Sequence, residues 1–402
     1  MRVIESSAFV AVPMAGMTLS QMGAEVIRFD RLEGGLDARR MPYSPSGSSL
    51  FWSGMNKGKK SIAVDMKNPE GKDLITNLIT APGKDAGLFL TNLKVKGWLD
   101  YETLSELRSD IIIVTLKGDR QGRPQVDYTV NPALGIPEIT GHEGSIEPVA
   151  NAIPAWDMIA GNMCVSSLLA AERYRLRHGV GQDVEIALKD VAAAAIGHLG
   201  MIADSTLNTD DRSKAGNALY GAYGKDFLCA DGNRVMIIGL TSRQWSGILK
   251  ATDTTEQFKN LENEKNINLN DEAIRWKWRH EITAILEPWF KTRAVEDFAR
   301  DFDNTGLTWS VFRSVKEALE FDPDLSEDNP LFKKIKQPEA GEFLVPRHPA
   351  NFSKVDNTEA KGAPALGEHT EEILGDILHL SDIEISNLFD KGVVASPTYN
   401  KN

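Results

Sequence analysis

The segment Pro154-Ala-Trp-Asp157-Met-Ile-Ala-Gly161 opens on a proline, enters a helical pattern that runs to about Arg177, and closes at Gly179. Asp157 therefore falls in the first turn of a helix, and Gly161 lies one turn further along the same face. The positive end of the helix dipole favours an ionised carboxylate, and the glycine leaves room beside it for a ligand. An ionised, approachable aspartate can act as a nucleophile that carries an acyl group covalently. Aspartate is also a good first-turn residue, and on the pattern alone that structural role is the stronger reading.

Other chemistries find less support. No serine sits in a GxSxG elbow, and the seven histidines are scattered without HExxH or other ligand spacing. Cys164 and Cys229 are far apart and have no partner at metal-ligand spacing, so neither a disulfide framework nor a metal site is expected, and Cys164 reads as core. No GxGxxG or GxxxxGK[ST] follows a strand, which removes the usual nucleotide fingerprints. The formal charge of -12 disfavours nucleic acid or an anionic membrane as partner, and an anionic small ligand would need a local basic pocket. The apolar start Ala8 to Met17 is interrupted by Pro13 and Gly16, so a cytoplasmic protein is expected rather than a secreted one. No apolar run reaches membrane-spanning length.

The elements that must position Asp157 alternate between strand and helix. Arg2 to Glu5, Glu25 to Asp30, Ser61 to Asp65, Gly87 to Thr91 and Ile111 to Leu116 read as strands, and the intervening segments carry helical periodicity. This predicts a doubly wound parallel α/β sheet. After the Asp157 helix come a strand at Gln182 to Leu188 and one apolar helix at Asp190 to Ala203. A polar, glycine-containing stretch, Ser205 to Gly224, then marks a boundary or an active-site loop. Beyond it, Phe227 to Leu240 reads as a hairpin, and helices follow at Arg243 to Ala251, Asp271 to Leu286 and Ala294 to Asp301. Glu256 to Asn270 reads as a solvated connector.

Several strings change the weight on Asp157. Gly23-Ala-Glu-Val-Ile-Arg-Phe-Asp-Arg31, Asn56-Lys-Gly-Lys-Lys-Ser-Ile-Ala-Val-Asp65 with Asn68-Pro-Glu-Gly71, Gly181-Gln-Asp-Val-Glu-Ile-Ala-Leu188 and Leu366-Gly-Glu-His-Thr-Glu-Glu-Ile-Leu374 occur in this order. Together they resemble the signatures of the family III CoA-transferases over nearly the whole chain. The resemblance implies a Rossmann-like large domain built from both chain ends (1-204 and 335-402), a smaller central α+β domain (225-325), and an interlocked homodimer. It places Asp157 on the family's catalytic aspartate, whose carboxylate forms a mixed anhydride and then an aspartyl-CoA thioester. It implies no cofactor beyond the CoA of the substrate.

The same resemblance sets Arg31 and Asn92 against CoA. Leu93 stands where the family has phenylalanine, and Lys94 or Lys96 would replace an arginine with no clear counterpart. Lys57, Lys59 and Lys60 are weaker candidates, because a basic run is more often a solvated face. Val126 and Asp127 fall where the racemase branch has histidine and aspartate; valine cannot take a proton, which disfavours racemisation, and Asp127 either hydrogen-bonds near the thioester or fixes a turn. Tyr220 and Gly221, within Gly216 to Gly224, belong to a candidate loop that closes over the anhydride. Strings such as Ile153-Pro-Ala-Trp-Asp157 and Gly197-His-Leu-Gly-Met-Ile-Ala203 are similar to a subgroup that moves CoA between the two carboxyls of a branched C5 dicarboxylyl-CoA (mesaconyl-CoA, C1 to C4). An intermolecular transfer to a separate acid is the alternative.

Overall fold

A computed structural model describes residues 1-93 and 97-397; Lys94 and Lys96 lie outside the described residues. The chain divides into two compact units, one of residues 1-134, 151-208 and 323-402 and one of residues 135-150 and 209-322.

In chain order the first unit begins β1 (Arg2–Ser6), α1 (Ala11–Gln21), β2 (Glu25–Asp30), α2 (Leu50–Met55), β3 (Lys60–Val64), α3 (Pro69–Thr80), β4 (Leu88–Thr91), α4 (Tyr101–Leu107), β5 (Ile112–Lys117) and α5 (Asp127–Ala133). The short α6 (Ile136–Ile139) belongs to the second unit. The first unit resumes with α7 (Ala155–His178), β6 (Gln182–Ala187), α8 (Leu188–His198) and α9 (Met201–Leu207). The second unit then contributes β7 (Tyr223–Leu228), β8 (Arg234–Gly239), α10 (Ser242–Ala251), α11 (Thr255–Lys265), α12 (Glu272–Lys277), α13 (Arg279–Lys291), α14 (Ala299–Thr305), β9 (Thr308–Val311) and α15 (Val315–Phe321). The C-terminal part returns to the first unit with β10 (Phe332–Gln337), β11 (Gly341–Pro346), α16 (Thr370–Asp376), α17 (Asp382–Asp390) and β12 (Val394–Ala395).

The large sheet has strand order β12-β3-β2-β1-β4-β5-β6 and is parallel except for β12, which runs against β3. From β1 the chain winds outward through β2 and β3, then crosses back to β4 on the other side of β1. That reversal is a switch point, and ligands of open α/β sheets bind in the crevice outside the carboxyl ends of such strands. One face of the sheet packs Ile27, Phe29, Ile62 and Phe89 against Leu78 of α3, Leu104 of α4, Leu374 of α16 and Leu388 of α17. α1 and α7 pack closely on one another in the same unit. At their crossing, a Cβ on Gly161 would lie 2.7 Å from the Ala11 carbonyl oxygen.

Strands β1 to β6 match the sequence reading to within a residue, whereas β10, β11 and β12 were not among the expected strands. The helix expected over Asp190 to Ala203 is instead two, because Gly200 adopts φ +76° and ends the continuity between α8 and α9. In the second unit a three-stranded antiparallel sheet, β7-β8-β9, packs on an aromatic core that includes Phe227, Trp245, Phe290 and Phe302. The connector expected over Glu256 to Asn270 contains α11, a polar helix that buries only Phe258. Asp271 to Leu286 is likewise interrupted, at Trp278.

Candidate active site

α7 begins without a side-chain cap from its own N-cap residue, Pro154. The cap comes from across the chain: Oδ2 of Asp127, the first residue of α5, accepts from the backbone N–H of Trp156 at 2.7 Å and of Asp157 at 3.2 Å. Asn131 of α5 supports the joint by accepting from the Trp156 indole N–H at 3.0 Å. Asp127 is buried, and its Oδ1 has no partner among the described residues. The carboxylate with structural duty at this helix start is therefore Asp127, which leaves Asp157 free of it.

This changes the electrostatics expected of a first-turn aspartate. The leading N–H groups that would stabilise an ionised Asp157 already serve Asp127. Burial, and then the charge of Asp127, push the Asp157 carboxyl up to about 6. Asp127 is itself raised, chiefly by burial, against the lowering effect of its two backbone hydrogen bonds. Near neutral pH Asp157 is then an ionised but poorly solvated carboxylate, a better nucleophile than a fully hydrated one. Gly161 does not open space for a ligand as its spacing suggested, because the Ala11 carbonyl fills the place of the missing Cβ.

The other candidates are placed as follows. Arg31 is exposed immediately beyond the carboxyl end of β2. Asn92, at the end of β4, uses both ends of its amide on Ala8: Oδ1 accepts from Ala8 N–H and Nδ2 donates to Ala8 C=O, each at 2.9 Å. It thereby ties β4 to the exit of β1 across the switch point. Val126 is half exposed at the N-cap of α5. Tyr220 and Gly221 belong to the second unit, where the Tyr220 ring stacks under the Arg212 guanidinium at 3.6 Å and beside Trp276 at 5.0 Å.

The lysine run is engaged internally. Lys59 is buried on Glu5 at 2.7 Å, Lys60 pairs with Glu25 and Glu372, and Lys57 donates to the Gly54 carbonyl. Sequence reasoning passed over Arg28, whose buried guanidinium binds Asp30, Asp37, Asn56 and the Ser7 carbonyl and so fixes the loop after β2. It also missed a cleft of about 440 Å³ at the ends of β4 and β5, lined by Asn92, Thr115, Lys117, Arg120 and Arg123. Lys117 pairs with Glu185 and Arg123 with Asp119, so Arg120 is the cation there without an ion pair among the described residues. The described residues contain no group of His, Cys, Asp and Glu placed to hold a metal ion.

Open parallel sheets with such a switch point bind ligands in the crevice beside it. Residues 1-370 match the model of CoA-transferase family III, and the chain belongs to that family. It is 50% identical over 99% of its length to the 2-methylfumaryl-CoA isomerase of Chloroflexus aurantiacus, covering 97% of that protein. It is 26% identical to the human succinyl-CoA:glutarate CoA-transferase, over 98% of this chain and 89% of that one. A CAIB/BAIF family protein from Brucella suis has the same fold, with a TM-score of 0.76 at 23% identity, covering 94% of this chain and 98% of that one.

Proposed function

We propose that this chain is an isomerase of 2-methylfumaryl-CoA, moving CoA from one carboxyl of the acid to the other through Asp157. The observation that carries the reading is the identity of half its residues, end to end, with an isomerase of that substrate, in a chain where Asp127 caps the helix whose first turn holds Asp157.

In the first step Asp157 attacks the thioester carbonyl and expels CoA thiolate, leaving a mixed anhydride as reactive as the bond it replaces. The thiolate attacks the aspartyl carbonyl and expels the substrate carboxylate, so CoA becomes an aspartyl thioester. The second carboxylate of the same molecule then attacks that thioester and re-forms an anhydride, whose acyl carbonyl takes the thiolate and frees Asp157. No proton or water enters the balance. Water must be kept away, and we assign that task to the Gly216 to Gly224 loop with Tyr220 and Gly221. Arg31, Arg120 and Lys94 or Lys96 are the proposed holders of the CoA phosphates. Asp127 keeps the α7 start in place, and Val126 supplies no base for α-proton exchange.

A homodimer and a cytoplasmic setting complete the reading. The described residues contain no helix long and apolar enough to cross a membrane. Replacing Asp157 by Ala is expected to lower kcat for 2-methylfumaryl-CoA isomerisation by roughly 10³-fold or more while the CoA ester still binds. Turnover within tenfold of the unaltered protein would remove Asp157 from the chemistry.

A further inference from the structure

Arg40 lies in the loop between β2 and α2, and its guanidinium lies over two rings. Its central carbon sits 5.4 Å from the Phe9 ring centroid and 5.3 Å from that of Phe51. Phe9 reaches this place with φ +67°, in the left-handed region that a bulky side chain rarely adopts. The loop backbone is pinned too: Arg40 N–H donates to the Asp37 carbonyl at 3.3 Å, and Ser49 Oγ donates to the Arg40 carbonyl at 2.6 Å. Asp37 is itself gripped by buried Arg28 at 2.8 Å. Rings and backbone thus fix the position of a cation that is exposed and has no carboxylate partner among the described residues, whereas Arg28, Lys59 and Lys60 are all ion-paired.

The location matters as much as the order. Phe9 follows Ala8, the residue Asn92 grips at the switch point, and precedes by two residues Ala11, whose carbonyl touches Gly161 one turn beyond Asp157. A guanidinium that contacts rings through its face still presents its N–H edge, and such an edge binds the two oxygens of one carboxylate in plane.

We propose that Arg40 determines specificity for dicarboxylyl-CoA esters by holding the free carboxylate of the acyl chain while the thioester end meets Asp157. This rests on the proposed function. In an intramolecular exchange each carboxyl takes its turn as the anchored end, so one cation serves both directions. A phosphate of CoA offers the same anionic chemistry, and the two sources separate by experiment.

Binding would be measured calorimetrically on the Asp157→Asn protein, in which turnover is expected to be lost, with and without Arg40→Met or Arg40→Lys. The probes are mesaconyl-CoA, methacrylyl-CoA, which lacks the free carboxylate, and CoA alone. The methionine variant is expected to weaken mesaconyl-CoA roughly 10- to 100-fold, the worth of a hydrogen-bonded charge, and to leave the other two within about twofold. The lysine variant should recover part of the loss. Equal weakening of all three probes would assign Arg40 to a phosphate and overturn the proposal, as would no change with mesaconyl-CoA. If the unaltered protein does not isomerise mesaconyl-CoA, the proposed function fails, while the succinyl-CoA and propionyl-CoA pair still decides the role of Arg40 by the same criterion.

Discussion

At the residue scale two aspartates thirty positions apart in sequence meet at one helix start, where Asp127 caps α7 and Asp157 is the proposed nucleophile. Because burial, and then the negative charge of Asp127, raise the Asp157 carboxyl, the proposed nucleophile loses its ionised form as pH falls through about 6. Activity as kcat/KM is therefore expected to fall on that acidic limb. Asp127→Asn keeps an oxygen for the two N–H groups but removes the charge, so the limb should move to lower pH; a pH-rate profile in which it moves upward or stays would contradict the coupling. The place of Asp157 in the first turn of α7 was legible, since Pro154 opens a helical pattern just before it. Asp127's capping role was not, because no local pattern tells which distant carboxylate meets a helix start that lacks its own cap. The expected lowering by the helix dipole failed for the same reason: the N–H groups were already taken. Arg40 gave no signal, since its contacts with both Phe9 and Phe51 are made only by folding.

At the scale of elements, Gly161 carries the close approach of α7 to α1. An added Cβ would lie 2.7 Å from a backbone oxygen that cannot rotate away, so the helices must part. Gly161→Ala is expected to destabilise the fold by about 1–3 kcal/mol and to cut activity by shifting the α7 start; a denaturant midpoint unchanged from that of the unaltered protein would show that the crossing tolerates the methyl group. The alternation of buried strands and amphipathic helices was readable because hydrophobic periodicity is local. The breaks were less so. Gly200 within an apolar stretch offered both a helix interior and a left-handed stop, and only the latter fits the observed turn. α11 was hidden by its charge, since a helix that buries one residue has almost no apolar stripe to detect.

At the scale of the whole molecule, the first unit leaves apolar side chains uncovered. α9 buries none of its residues, and Leu199, Ile202 and Leu207 are 75%, 53% and 82% exposed. Met158, Ile159 and Met163 of α7 are each about two-fifths exposed on the helix that carries Asp157. Such a surface on one chain fits the proposed homodimer. Sedimentation is expected to give a species of twice the chain mass that persists on dilution, and a monomer at assay concentrations would reject it. In the proposed isomerisation the acid freed from the first anhydride never leaves and presents its other carboxylate at an effective concentration on the order of molar or more. The most direct test follows isomerisation of mesaconyl-CoA between its C1 and C4 thioesters in the presence of isotopically labelled free mesaconate. Isomerisation that needs no added acid, with hardly any label in the CoA esters, is the predicted result; label entering the product as fast as the isomers interconvert would contradict it.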